Sequence, residues 1–329
     1  MNSGIEPYFW MGGQLATDLI EISHDPADID DGFWAITTTF DGRFTGAKFA
    51  KVIQSDWMNE YQPLHSKVWS SSHDQDKYCD LVNRFKDEIA KGNVYQVNAC
   101  RILSNETDER IEGLIAGFIE SNPAKFSGYL RLPNLEIASA SPETFLQRRG
   151  RTIKSSPIKG TRKPGIQGRF PEKDESENVM IVDLMRNDLG RICEENSISV
   201  PRLLSIENLP GLDHLVSDVQ GDLHPEVIWA EILEVTLPPG SVSGAPKSSA
   251  IQLINEYEGI DRGPYCGAFG WINGNRAELA VAIRTFWSDG ETVKFGTGAG
   301  ITWASDPNAE WEETELKAAR LIAIANGEI

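Results

Sequence analysis

Hydrophobic residues recur at helical spacing over residues 74–92, where Tyr78, Leu81, Val82, Phe85 and Ile89 share a face and Gly92 follows as a stop. Similar patterning predicts helices over 107–121, ending at Asn122-Pro123, and over 174–189, closed by Gly190. Shorter helices are predicted over 226–236 and 246–258. The second carries Pro246 in its first turn, where no amide donor is needed. A last helix is predicted over 308–325. Between the helices lie β-branched and aromatic runs that read as strands. They are Phe33 to Phe40, with an Asp41-Gly42 turn and more strand after it, then Val94 to Cys100, 126–132, 135–140 and 144–154. Near the end come Gly267 to Ile272, Glu278 to Trp287 and Thr292 to Gly298, with Asn273-Gly274 and Asp289-Gly290 as hairpin turns. Strands in antiparallel runs separated by helices indicate an α+β fold rather than a parallel α/β sheet. With no repeat, low-complexity stretch or linker in view, one domain over 1–329 is expected.

Composition narrows the function classes. The 329 residues are 40% hydrophobic, enough for a large core, and carry a formal net charge of −18. Such a surface repels phosphate backbones and anionic lipid heads, so nucleic acid and membrane are not expected partners. An anionic ligand would need a local concentration of positive charge. Cys79, Cys100, Cys193 and Cys266 are far apart, without zinc-ligand spacing, and read as reduced thiols of a cytoplasmic protein. The first residues lack the basic and apolar regions of a signal peptide, and no apolar run reaches the roughly 20 residues of a membrane helix.

Candidate chemistry gathers in four places. Lys159 sits between a Pro-Ile entry and a Gly-Thr exit; it is either a solvated loop lysine or an aimed amine, which desolvation or nearby cations, Arg162 and Lys163 if they point inward, would turn into a nucleophile. Asp174 and Glu177 are three apart on one predicted helix, and Glu310 and Glu313 on another, with Lys317 four further on. These are solvated acidic faces, or two stripes meeting across a cleft. In the second case each close carboxylate pair costs roughly 4 kcal/mol at an effective dielectric near 20, a cost that a hard, oxygen-seeking dication such as magnesium removes. Gly296-Thr297-Gly298-Ala299-Gly300 is read as a glycine loop ending a strand, able to bring backbone amides to an anion. Arg284, amid apolar strand residues, is a packed ion pair or a carboxylate fork, and Tyr265 a hydrogen-bond donor or a packing residue.

Eight segments in order resemble motifs of the chorismate-utilising enzymes. They include Ser141-Pro142-Glu143-Thr144-Phe145, Pro157-Ile158-Lys159-Gly160-Thr161-Arg162, Glu177-Asn178-Val179-Met180 and Gly240-Ser241-Val242-Ser243-Gly244-Ala245-Pro246-Lys247. Tyr265-Cys266-Gly267, Ala282-Ile283-Arg284-Thr285, Gly298-Ala299-Gly300-Ile301 and Glu310-Trp311-Glu312-Glu313-Thr314-Glu315 complete the set. The resemblance makes 75–329 a family core and 1–70 a shortened N-terminal portion. It implies a large α+β fold, two antiparallel sheets packed as a sandwich with helices outside. It also implies a magnesium site with Glu177 and Glu313 as direct ligands and Asp174 and Glu310 acting through water. Arg284, Tyr265, Lys317 and the backbone of Gly298, Ala299 and Gly300 are implied to bind the two carboxylates of chorismate, in a substrate site that takes in Ser241, Gly244 and Thr161. Glu143 is implied as the acid assisting departure of the ring hydroxyl, and His214, in Gly211-Leu212-Asp213-His214, as a residue lining the ring.

Two positions separate the members of this family. Synthases that add water use a lysine base where this chain has Gln96, which takes no proton. Anthranilate synthases usually carry alanine where this chain has Lys159, and aminodeoxychorismate synthases carry lysine. The resemblance therefore implies aminodeoxychorismate synthase component I, with ammonia from a glutamine amidotransferase partner. Anthranilate synthase component I is the alternative, and a catalytically dead binding subunit a remote third reading. The short N-terminal portion argues against the tryptophan pocket and feedback inhibition of longer relatives.

Overall fold

The computed structural model describes residues 6–163, 165–166, 168–209 and 212–328. The start of the chain, residues 1–5, and Gly211 of the histidine motif lie outside these. Six α-helices occur among the described residues: α1 Gln75–Ala90, α2 Leu114–Ser121, α3 Glu172–Gly190, α4 Trp229–Thr236, α5 Lys247–Tyr257 and α6 Pro307–Asn326. The strands join into one antiparallel network, an α+β fold that is not a closed barrel. No described helix is long and apolar enough to cross a membrane.

Local chemistry explains the helix ends. At the start of α1 the Asp74 carboxylate accepts from the Lys77 amide at 3.0 Å, and Tyr78, Leu81, Val82 and Phe85 are buried beneath the helix. The α6 start repeats the device, with Asp306 accepting from the Ala309 amide at 3.0 Å and Pro307 in the first turn. Gly327 closes α6 at φ +74°, a left-handed position natural to glycine.

Four expectations need correction. The helix expected over 107–121 begins only at Leu114. Ahead of it, Glu109 accepts from Thr107 Oγ1 at 3.0 Å and the Ile111 amide donates to Glu136 at 3.1 Å, so side chains take the place of the helical ladder. The strand expected over 144–154 is a hairpin, Thr144–Arg149 with Thr152–Ser156, turning at Gly150. The strand expected from Glu278 to Trp287 is two, Arg276–Val281 and Thr285–Ser288, with Arg284 at φ +51° in the break. Finally, the glycine segment is not a loop. Thr292–Ile301 is one strand, paired along its length with Gln96–Glu106. The hairpin Ser199–Leu209 with Leu212–Asp222 carries no clear alternation in the sequence and is an addition of the structure.

The break at Arg284 positions the site. Arg276–Val281 pairs with Ala268–Asn273 and Thr144–Arg149, whereas Thr285–Ser288 pairs with Leu135–Ser141 and Thr292–Ile301. A non-glycine residue in the left-handed region costs of order 1–3 kcal/mol, and such strain collects where a side chain must be aimed.

Candidate active site

The site forms where three segments meet. Gly300 lies opposite Asn98, and Gly244 and Ala245 pair with Val97 and Gln96 on the other side of that strand. Gly244, at φ +145°, has no room for a side chain: a Cβ there would stand 2.3 Å from the Gln96 carbonyl. Gly160, at φ +90° beside Lys159, is crowded too, though by side chains: a Cβ would lie 2.9 Å from Phe170 and 3.1 Å from Asp174. The strand Ile158–Arg162 thereby sits against α3 and its acidic stripe.

Lys159 points toward Gly300, its Nζ lying 3.8 Å from where a Gly300 Cβ would stand. Solvent still reaches part of the side chain through the cleft, but protein surrounds the ammonium. That desolvation pulls its pKa below the ordinary lysine value; Glu177, Glu143 and Glu313 oppose the shift and Lys317 adds to it. The neighbouring cations expected in this role do not supply it. Arg162 stacks on Phe170 at 4.3 Å and donates to the Gly168 carbonyl at 3.0 Å, and Lys163 is exposed.

Glu143 is 4% exposed, and its Oε1 has no hydrogen-bond partner among the described residues. Burial pushes its carboxyl up to about 7, against the pull of Ser241, Lys159, the Ile158 amide and Arg284. A carboxyl held there is proton-bearing near neutrality and suited to general acid catalysis. Arg284 lies close enough to interact with both Glu143 and His214, and its pKa is lowered by burial. Its guanidinium forms no ion pair with a described residue, which favours the carboxylate-fork reading of this arginine. His214 is 2% exposed and shares a 2.9 Å hydrogen bond with Thr161. Tyr265 belongs to the main core, packed so closely on Gly296 that a Cβ there would meet its ring at 2.1 Å.

The two acidic stripes lie within electrostatic reach of one another. Glu313 on α6 raises the pKa of Asp174 and Glu177 on α3, in each case after the larger effect of burial. Glu310 is buried and raised in the same way. The lysines at the site supply countercharge. Lys173 lies 3.9 Å from Glu177, and Lys317 bridges Glu313 at 2.6 Å and the Gly298 carbonyl at 2.9 Å. Burial pushes the Glu313 carboxyl up, but Lys317, joined by Lys173 and Lys159, holds it below its ordinary value. Among the described residues no three acidic, histidine or cysteine side chains converge closely enough to grip an ion. The donor chemistry nevertheless fits a hard dication: all four groups offer carboxylate oxygens whose burial positive charge would relieve.

Sequence reasoning missed two contributors. Lys173 stands four residues before Glu177, a spacing that marks it as an ion-pair partner. Arg101, fully buried in the Gln96–Glu106 strand, donates to Thr314 Oγ1 at 2.9 Å, pairs with Glu315 and lies 4.2 Å over Trp311. It thereby fixes the face of α6 that turns Glu310 and Glu313 toward the cleft. The signal was the one that singled out Arg284, a cation inside an apolar strand.

Replacing Gly300 with alanine tests how tightly this floor is packed, because the added Cβ would lie 2.4 Å from Gln96 Nε2. Overpacking of this kind costs about 1–3 kcal/mol. The expected result is a folded variant whose kcat/KM falls roughly 10- to 100-fold; activity equal to the parent would mean that the glycine floor is not part of the site.

The fold matches solved structures along nearly its whole length. Anthranilate synthase component I from Streptococcus pneumoniae superposes with a TM-score of 0.80 over 98% of this chain and 94% of that one, at 22% identity. The menaquinone-specific isochorismate synthase of Escherichia coli gives 0.79 over 97% and 88%, at 18% identity. Among curated relatives, anthranilate synthase component 1 of Methanothermobacter marburgensis is 36% identical over 262 residues, 75% of this chain and 56% of that protein. Aminodeoxychorismate synthase component 1 of Bacillus subtilis is 32% identical over 270 residues, 79% and 57% respectively. The chain thus spans little more than half the length of these relatives. A family model described as chorismate binding enzyme matches residues 46–323, and the chain belongs to that family.

Proposed function

We propose that this chain aminates chorismate at C4 to 4-amino-4-deoxychorismate, as component I of an aminodeoxychorismate synthase. The observation that carries this reading is Lys159, an amine with a lowered pKa aimed at the glycine floor between Glu143 and Glu177. Arg284, Lys317 and the Gly298–Gly300 backbone bind and orient the two carboxylates. The neutral Lys159 amine bonds to C2, the ring double bonds shift, and the C4–oxygen bond breaks as Glu143 gives its proton to the departing hydroxyl, which leaves as water. Ammonia then bonds to C4, the double bonds return, and the lysine is expelled from C2, with Glu143 recovering a proton from the incoming nitrogen. Gln96, buried at the cleft with its amide 3.5 Å from Glu177, cannot act as a base toward water. The ammonia source in this reading is a glutamine amidotransferase partner.

Glu177 and Glu313 would hold magnesium directly, with Asp174 and Glu310 reaching it through water. The ion supplies positive charge that offsets the ring carboxylate and the buried acids. Magnesium at a hundred times its dissociation constant is expected to stabilise the fold by about 2.7 kcal/mol, and the double variant Glu177→Gln/Glu313→Gln is expected to lose that gain. Thermal melts with and without the ion check this; a parent protein indifferent to magnesium would remove the ion from the reading.

Anthranilate synthesis is the second reading, favoured by relatives such as the M. marburgensis protein. Chorismate, magnesium and an ammonium salt incubated with the protein, followed by chromatographic separation of products, decides between them. Anthranilate as the sole product would overturn the C4 assignment.

A further inference from the structure

We propose that Thr161 is a positioning residue that sets the tautomer of His214, so that His214 presents an Nε2–H donor to the cleft. The inference rests on the chorismate reading above for the identity of the ligand, but its central test does not.

The geometry comes from two paired strands. Thr161 of Ile158–Arg162 stands opposite His214 of Leu212–Asp222, and the Thr161 hydroxyl is 2.9 Å from His214 Nδ1. A neutral imidazole has one donor and one acceptor, and the bond made by one nitrogen dictates what the other offers. The ring is buried, and burial followed by the Arg284 charge lowers its pKa, so the neutral form prevails near neutrality. The acids that bear on it from nearby are Glu207, on the adjoining strand, and Asp213. Both are engaged elsewhere. Glu207 takes Arg202 at 3.0 Å, while Asp213 takes Asn208 at 2.6 Å and Arg162 at 3.7 Å. Among the described residues Thr161 alone is bonded to Nδ1.

The hydroxyl could donate to Nδ1 or accept from it. A dianionic ligand offers acceptors to the cleft wall, and an acceptor nitrogen facing those oxygens would be an unpaired, repulsive contact. The productive arrangement has Thr161 donating to Nδ1 and His214 Nε2–H donating to the ligand. Thr161 then acts through the ring without touching the reacting atoms.

The test uses the full chain labelled with ¹⁵N-histidine. Long-range proton–nitrogen correlation spectra are expected to show His214 with a bare Nδ1 and a protonated Nε2. Thr161→Val, nearly the same shape without the hydroxyl, is expected to mix the tautomers, and Thr161→Ser to keep the parent pattern. In chorismate turnover, Thr161→Val is expected to lower kcat about tenfold, the rate equivalent of one neutral hydrogen bond, with KM little changed and Thr161→Ser restoring the rate. A protonated Nδ1 in the parent, a Thr161→Val spectrum identical to the parent, or an undiminished kcat in that variant overturns the proposal. If the protein does not turn over chorismate at all, the functional reading fails while the spectra still decide the tautomer.

Discussion

Lys159→Ala is expected to abolish most C4 amination, lowering kcat about a thousandfold, equivalent to roughly 4 kcal/mol of barrier. In the proposed route the amine bonded at C2 excludes ammonia from that carbon and directs it to C4. Without it, C2 is open, and the small remaining flux is expected to shift toward anthranilate. The pocket itself survives, because Arg284, Lys317 and the glycine floor are untouched, so chorismate binding by calorimetry is expected to persist. Product analysis of the parent and variant side by side checks this. An unchanged rate and product would show that the amine does not bond to the ring, and intact-protein mass spectrometry of the trapped parent would then lack an adduct on the Lys159 peptide.

Glu143→Gln carries the second large effect, and its sign can be worked out for both catalysis and stability. Removing a general acid costs typically 10²- to 10⁴-fold, so kcat is expected to fall by about that range. In the parent, kcat is expected to decline as pH rises through about 7, the value to which burial pushes this carboxyl. The variant is expected to lose that limb. For stability the substitution has the opposite sign to its effect on catalysis. Below the ordinary value of 4.5 the carboxyl is protonated whether the chain is folded or not, and it contributes no pH dependence. Between 4.5 and about 7 the unfolded chain ionises while the folded one keeps its proton, so folding becomes less favourable as pH rises. The difference between 4.5 and about 7, at about 1.36 kcal/mol per pH unit, makes this roughly 3 kcal/mol. Glu143→Gln never ionises. It is expected to match the parent near pH 4 and exceed it by about that much above pH 7. Urea unfolding across this pH range measures it, and a stability difference that stays flat with pH would mean the carboxyl is not buried in its protonated form.

Much of the site was legible as residue types. Lysine between a proline and a glycine, acids three apart on two helices, and an arginine within an apolar strand each pointed to chemistry before any coordinates. Their alternatives stayed open for a physical reason: solvation and partners are properties of the surroundings. A solvated acidic face and half of a metal site have the same sequence. The opposition of Asp174 and Glu177 to Glu313 appears only when α3 and α6 are packed around the same cleft. The source of positive charge near Lys159 was misplaced for the same reason. Arg162, three residues away, turns to Phe170, whereas Lys317 comes from the far end of the chain. The helix expected over 107–121 lost its first turns because Glu109 and Glu136 bind the side chain of Thr107 and the backbone of Ile111, and Glu136 belongs to a strand elsewhere in the chain.

Local signals sufficed for what depends on neighbours in the chain. Periodicity placed the six helices and most strands, breakers such as Gly92 and Asn122-Pro123 marked ends, and the ordered motifs identified the family. Tertiary structure alone decided what depends on distance through space. It broke the strand at Arg284, joined the glycine segment to Gln96–Glu106 in one ladder, and paired Thr161 with His214. It also decided which groups are stripped of water, and so why Glu143 keeps a proton that an exposed glutamate would release. Charge and proton affinity follow the dielectric surroundings of each atom, and those are assembled from residues far apart in the chain.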